Sequence, residues 1–170
     1  MTDIKDAFDE FESEDDGVYF DPTQSSIVPE GTYPAKIINL KSFKITTRRG
    51  NDATVFKPVY RIEDDVISAG GALVEDKGIF RYVPPKNNDG LRVSGSGNSD
   101  YKKFLDKMEI PLIKEDFEGK TLYKLPTLTT EMIKGTDVVV NIKHASWESK
   151  KYGNTRTVPE ARLAYKKKRV

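Results

Sequence analysis

Residues 137–147 (DVVVNIKHASW) constrain the fold more than any other stretch of the chain. β-branched residues dominate the run, and its side chains alternate with period two, the pattern of a half-buried strand. Val138, Val140 and Ile142 fall on one face, and Val139, Asn141, Lys143, Ala145 and Trp147 on the other. Such a strand is stable only when paired. The 150–154 segment (KKYGN) supplies a turn, and residues 155–165 supply a returning strand.

Upstream, the same signals recur. Residues 32–45 alternate over a long strand, 46–52 form a polar turn, and 53–63 form a second strand. Pro58 inside the second strand has no N–H to donate, which predicts an edge position or a bulge. Residues 64–76 read as a connection and 78–83 as a third strand, stopped by Pro84 and Pro85. A Gly- and Ser-rich loop then leads to a helix that starts at Asn98 or Ser99, where a short polar side chain can cap free amides. Tyr101, Phe104, Leu105 and Met108 make its apolar stripe, and Pro111 ends it. Residues 119–128 are extended with one short strand, and 130–134 form a helical turn closed by Gly135. The order is three strands, a helix, then strands ending in a hairpin. This predicts a mostly β fold: a five-stranded Greek-key barrel of the oligonucleotide/oligosaccharide-binding type, with one helix between strands three and four.

Charge divides the chain. Residues 1–21 carry nine acids and one lysine, net −8, leaving +9 on the remainder of a chain whose total is +1. The division predicts an acidic N-terminal arm over 1–28, a basic domain over 29–165 and a basic tail over 166–170. A basic domain calls for a polyanion, foremost nucleic acid. In the arm, Ile4, Phe8 and Phe11 would share a face if a partner induced a helix, and Glu12, Asp15 and Asp16 continue the acidic run. The plain alternative is a solubilising leader.

Cysteine is absent, so disulfides, thiolate metal sites and cysteine nucleophiles are ruled out. The single histidine, His144, shares the apolar face of its strand and reads as buried and satisfied. No Gly-x-Ser-x-Gly elbow is present, and the Gly95-Ser96-Gly97-Asn98-Ser99 run lacks the lysine of a phosphate loop. No catalysis, cofactor or metal is expected. Residues 1–16 are polar and acidic, unlike a signal peptide, and no apolar run is long enough to span a bilayer, so a cytoplasm-like compartment is expected.

Single-strand binding needs rings for base stacking and cations for phosphates. Two loops supply them: Arg48 and Arg49 in the first, and Lys150, Lys151, Tyr152 and Arg156 around the last. Lys143 and Trp147 lie on the polar face of their strand, although a lone tryptophan equally suits core packing at a strand end. Lys57 and Arg61 share one face of strand two. On strand three, either Arg81 or the pair Phe80 and Tyr82 faces the groove.

With these elements placed, the chain resembles phage-encoded single-stranded-DNA-binding proteins. The resemblance covers residues 29–165 and rests on four features: Val28-Pro29-Glu30-Gly31-Thr32-Tyr33-Pro34-Ala35-Lys36-Ile37, Asn98-Ser99 followed by Lys103-Phe104-Leu105, Glu118-Gly119-Lys120, and the closing hairpin. It implies coating of single-stranded DNA in phage replication, recombination or repair, in the host cytoplasm. It also implies an acidic segment that recruits replication or recombination proteins. In many such proteins that segment is C-terminal, whereas here the acids are N-terminal. The competing reading is a β-barrel virion component or replisome adaptor that works through its arm.

Deleting residues 1–21 should tighten single-strand binding at low salt, and the gain should fade as salt screens the arm. Oligonucleotide anisotropy titrations of the two proteins compare them; equal affinity at low salt would refute competition between arm and ligand.

Overall fold

The computed structural model describes residues 17–19, 28–63, 71–148, 153 and 155–167, with only the backbone described at Trp147, Thr155 and Arg156. The expectations for residues 1–16, for the 150–154 loop including Lys150, Lys151 and Tyr152, and for the last three residues lie outside this set. In chain order the strands are β1 (Gly31–Thr46), β2 (Asp52–Ile62), β3 (Leu73–Glu75), β4 (Ile79–Val83), β5 (Ile113–Phe117), β6 (Lys120–Lys124), β7 (Asp137–Glu148) and β8 (Thr155–Lys166). The helices are α1 (Ser99–Lys107), preceded by a 3-10 turn over Ser96–Asn98, and the single turn α2 (Thr130–Ile133).

The fold is mostly β. The main antiparallel sheet runs β3-β2-β1-β7-β8, and β4 pairs with the same side of β2 as β3. β5 and β6 form a separate two-stranded sheet. The helix after the third-strand region and the helical turn at 130–134 are where the sequence placed them; the strands outnumber the five expected, and among the described residues no continuous ladder joins the two ends of the main sheet. The ends meet at one parallel bridge, Asp76 to Ala161, where the Lys77 N–H donates to the Ala161 carbonyl at 3.0 Å.

Two strands escaped the sequence pattern. β3 lies inside the presumed 64–76 connection, and β5 shows no alternation because all five of its residues are exposed. The turn between β5 and β6 has Glu118 at φ 48° and Gly119 at φ 79°, the two positive angles of a tight hairpin whose twist matches the flanking strands.

Pro58 lies in an interior strand, opposite Leu40 of β1. On its other side β4 pairing ends at Phe56 and β3 pairing begins at Val59. The missing N–H thus coincides with a kink over 76–78, and the Pro58 carbonyl accepts from the Asp76 N–H at 2.9 Å. The expected irregularity is present, without an edge position.

The core lies between the inner faces of the sheet and α1. It contains Ala35, Ile37, Phe56, Tyr60, Ile62, Val138, Val140, Ile142 and Leu163, with Tyr101, Phe104, Leu105 and Met108 from the helix. A nine-residue helix is marginal alone, whereas each fully buried apolar side chain contributes about 1.5–3 kcal/mol. Packing, not propensity, therefore holds α1. Val28, the last residue assigned to the arm, is also buried and packs with this core.

At the seam, Asp76 is 2 % exposed. It accepts from the Tyr60 hydroxyl at 2.8 Å, the Gly78 N–H at 2.9 Å and the Arg162 guanidinium at 3.2 Å. Arg162 also donates to the Gly78 carbonyl at 3.0 Å. Burial raises the Asp76 pKa above the ordinary 3.8 and outweighs its donors and the nearby Arg162 and Lys57 charges. Burial and the adjacent carboxylate push the Tyr60 phenol well above its usual range, so it remains a donor.

A raised carboxyl pKa means that the native state takes up a proton before the unfolded chain does. This group's stabilising contribution is full below the unfolded value and is lost as pH rises through the native one. Urea unfolding of the native protein and Asp76→Asn at about pH 7 and pH 4.5 should show the stability difference moving toward the native protein at the lower pH. A pH-independent difference would show that Asp76 titrates normally.

Candidate nucleic-acid interface

A β-bulge decides which side chains reach the open face of the sheet. In β1, Ala35 opposes Ile62 and Ile37 opposes Tyr60, so odd positions point to the core. The register shifts between Ile37 and Asn39, and one extra residue reverses the parity. Beyond it, Lys41 opposes Lys57, Phe43 opposes Val55 and Ile45 opposes Ala53, on the face opposite the main core cluster, where Val55 and Ala53 are nevertheless buried beneath their neighbours. From the other side, β4 sets Phe80 opposite Val55 and Tyr82 opposite Ala53.

One non-core face therefore carries Phe43, Phe80, Tyr82 and Lys57. Phe43 is 47 % exposed and Phe80 39 %. The rings of Phe80 and Tyr82 lie 6.0 Å apart, inclined by 15°. Lys57 is half-buried beside the 76–78 kink, while Lys41 is ion-paired to Glu75. At the end of this face is the 47–51 turn, closed by Thr47 N–H to the Asn51 carbonyl and Gly50 N–H to the Thr47 carbonyl, each at 2.8 Å. Arg48 and Arg49 occupy its corner, both exposed. They line a cleft of about 640 Å³ with Tyr82, Pro84, Val93 and Gly97. None of the described lining residues is acidic, and no described carboxylate lies within ion-pair distance of Lys57, Arg48 or Arg49.

The far wall of the cleft is fixed by Asn98, which is 5 % exposed. Its amide oxygen accepts from the Tyr82 N–H at 2.7 Å, and its amide nitrogen donates to the Tyr82 carbonyl at 3.0 Å and to Ser94 Oγ at 2.8 Å. Neither Asn98 nor Ser99 caps α1 through its side chain: the position is correct for a cap, but the backbone of the edge strand β4 claims the Asn98 amide instead. Next to it, Gly97 lies against the Tyr82 ring, close enough that a Cβ there would be in van der Waals contact at 3.4 Å.

Other expected members of the site are elsewhere. Arg81 points to the helix side, where it donates to the Leu125 carbonyl at 3.1 Å and lies 6.0 Å from the centre of the Tyr101 ring. Alternation on β4 settles the choice in favour of Phe80 and Tyr82, and Arg81 does not line the face. Arg61 is exposed on the Lys57 face, but four residues further along β2, about 13 Å at strand rise. Lys143 is exposed on β7 opposite Glu160. Because Ile142 opposes Gly31, Lys143, Trp147 and the start of β8 at Arg156 extend past the first residue of β1, whereas Arg48 and Arg49 lie beyond its last. The two groups are separated by the contour of β1, about 50 Å for its 16 residues. His144 corrects another expectation: it is exposed, past the end of the core, and donates from Nε2 to the Val28 carbonyl at 2.7 Å.

Sequence reasoning missed Phe43. Strict alternation places it with Ile37, in the core. A signal existed in the three-residue spacing of Ile37 and Leu40, which both pack on the core and cannot do so on an unbroken strand. Among the described residues, no cluster of His, Asp and Glu could hold a metal, and no helix is long and apolar enough to cross a membrane.

Asn98→Ala removes all three side-chain bonds and leaves the Tyr82 backbone groups unmatched, which should cost about 1–3 kcal/mol in urea unfolding. A change below about 0.5 kcal/mol would mean that water replaces the amide at no cost. No family model matches this chain, and no curated protein is similar to it.

Proposed function

We propose that the chain binds single-stranded DNA without sequence selection, on the open face of β1, β2 and β4. The observation that carries this reading is the grouping of exposed Phe43 and Phe80 with Tyr82, Lys57, Arg48 and Arg49 on one non-core face. Rings of this kind stack on any base, and guanidinium and ammonium groups neutralise the phosphates between them. The strand order supports the finer fold assignment. With β3 and β4 taken as one kinked strand, the parallel Asp76–Ala161 contact lies where an oligonucleotide-binding Greek-key barrel joins its third and fifth strands. The chemistry is non-catalytic. The proposed setting is phage DNA replication, recombination or repair in the host cytoplasm, with the acidic arm recruiting partner proteins.

The test is anisotropy of a labelled oligothymidylate at about 50 and 200 mM salt, with duplex DNA as control. Binding should fall steeply with salt and be poor for duplex. Phe80→Ala should weaken it by about 5- to 150-fold, the worth of one stacked base. The double substitution Arg48→Ala, Arg49→Ala should lower the salt slope by about 2. Both variants alter exposed side chains, so their melting temperatures should match the parent. Absence of binding at low salt, in full-length and arm-deleted protein alike, would reject the reading, and self-assembly without DNA would then favour a structural role.

A further inference from the structure

A second cleft backs onto the first. It lies between β4, the 92–95 segment, the start of α1 and β6, with a volume of about 510 Å³. Tyr82, Pro84 and Val93 line both clefts, so the β4 end and the loop after it form a wall shared between them. Arg81, Arg92, Lys102 and Lys124 line the second cleft, and none of its described lining residues is acidic.

These cations are not equally committed. Lys102 is held by Asp106 at 2.9 Å and lies 4.8 Å from the centre of the Tyr123 ring, with Lys114 at 5.6 Å from the same ring. Arg92 donates one N–H to the Pro84 carbonyl at 2.7 Å, which points the guanidinium while leaving its other donors open. No described carboxylate lies within ion-pair distance of Arg92 or Lys124. Arg81 also reaches this cleft, but it is half-buried and turned to the Leu125 carbonyl and the Tyr101 ring, so the exposed Arg92 and Lys124 supply the accessible positive charge, on opposite walls.

We infer that this cleft is a second phosphate-backbone site, in which a single strand leaving the open β face crosses the shared wall and is held between Arg92 and Lys124. The inference rests on the single-strand reading and extends it: the primary face accepts short segments, and the second cleft is engaged only by longer ones. Tyr123 acts as a positioning residue, keeping the Lys102 and Lys114 ammoniums at the rim. An acid-free cleft continuous with a basic face suits a polyanion longer than the face itself, because each added phosphate contact releases a counterion.

Two oligothymidylates test this, one of about 6 and one of about 20 nucleotides, spanning the usual range for a small barrel. The double substitution Arg92→Ala, Lys124→Ala should leave the affinity for the short oligomer unchanged. It should weaken the long one and lower its salt slope by about 2. Both side chains are exposed, and matching melting curves confirm the fold. Unchanged binding of the long oligomer by the variant, while the parent binds both, would overturn the second cleft and leave the primary face standing. Equal losses at both lengths would also overturn it as an extension, making it part of the primary site. No binding of either oligomer by the parent would reject the single-strand reading itself.

Discussion

The buried carboxylate of Asp76 is the centre of the contacts that hold the two ends of the main sheet near each other, beside the Lys77–Ala161 backbone bond and the Arg162–Gly78 bond. Asp76 receives one donor from β2 (Tyr60), one from the 76–78 kink (Gly78) and one from β8 (Arg162), so its bonds join segments distant in sequence. Its raised pKa shows that burial opposes ionisation more strongly than these partners favour it. With its carboxylate buried and its guanidinium half-exposed, this pair matters less as a net gain than because an unpartnered Asp76 in the same place would be strongly unfavourable. The arrangement chosen brings the kink against β8, and the kink in turn gives β4 the direction that lays Phe80 and Tyr82 beside β1 and β2.

The bulge in β1 works on the same face from the other side. Had the strand continued unbroken past Ile37, Phe43 and Ile45 would point inward, and Ser42 and Lys44 would face the solvent beside Val55. One additional residue exchanges the two sets. The proposed binding surface therefore depends on two irregularities, the Ile37/Asn39 register shift and the Pro58–Gly78 break, rather than on the regular parts of the sheet.

Regular elements were legible because their signals are local. The Tyr101, Phe104, Leu105 and Met108 stripe, the alternation of β7 and its antiparallel return as β8 follow from spacing alone. The irregular ones were not. β5 has no buried side chain to mark it, and β3 is only three residues long. The exposure of His144 follows from β7 running past the core, which depends on where β1 starts pairing and not on the histidine's neighbours in sequence. Of the candidate site, Arg48, Arg49 and Lys57 were identified by residue type. The choice between Arg81 and the pair Phe80 and Tyr82 stayed open because period two gives two equivalent faces and does not say which is inside. That the Lys143 side of the molecule lies at the opposite end of β1 from Arg48 follows from the register of β1 with β7, which no local pattern carries.

The amide of Asn98 has one more consequence. β4 pairs with β2 on one side only, and its other side is a free sheet edge next to exposed phenylalanines. Such an edge invites a strand from another molecule, the first step of sheet-to-sheet aggregation. Asn98 presents to Tyr82 the same acceptor and donor that a neighbouring strand would, at 2.7 and 3.0 Å. A side chain that imitates a strand without being one ends the sheet there, and it allows apolar rings to remain exposed beside an edge that no second strand can enter.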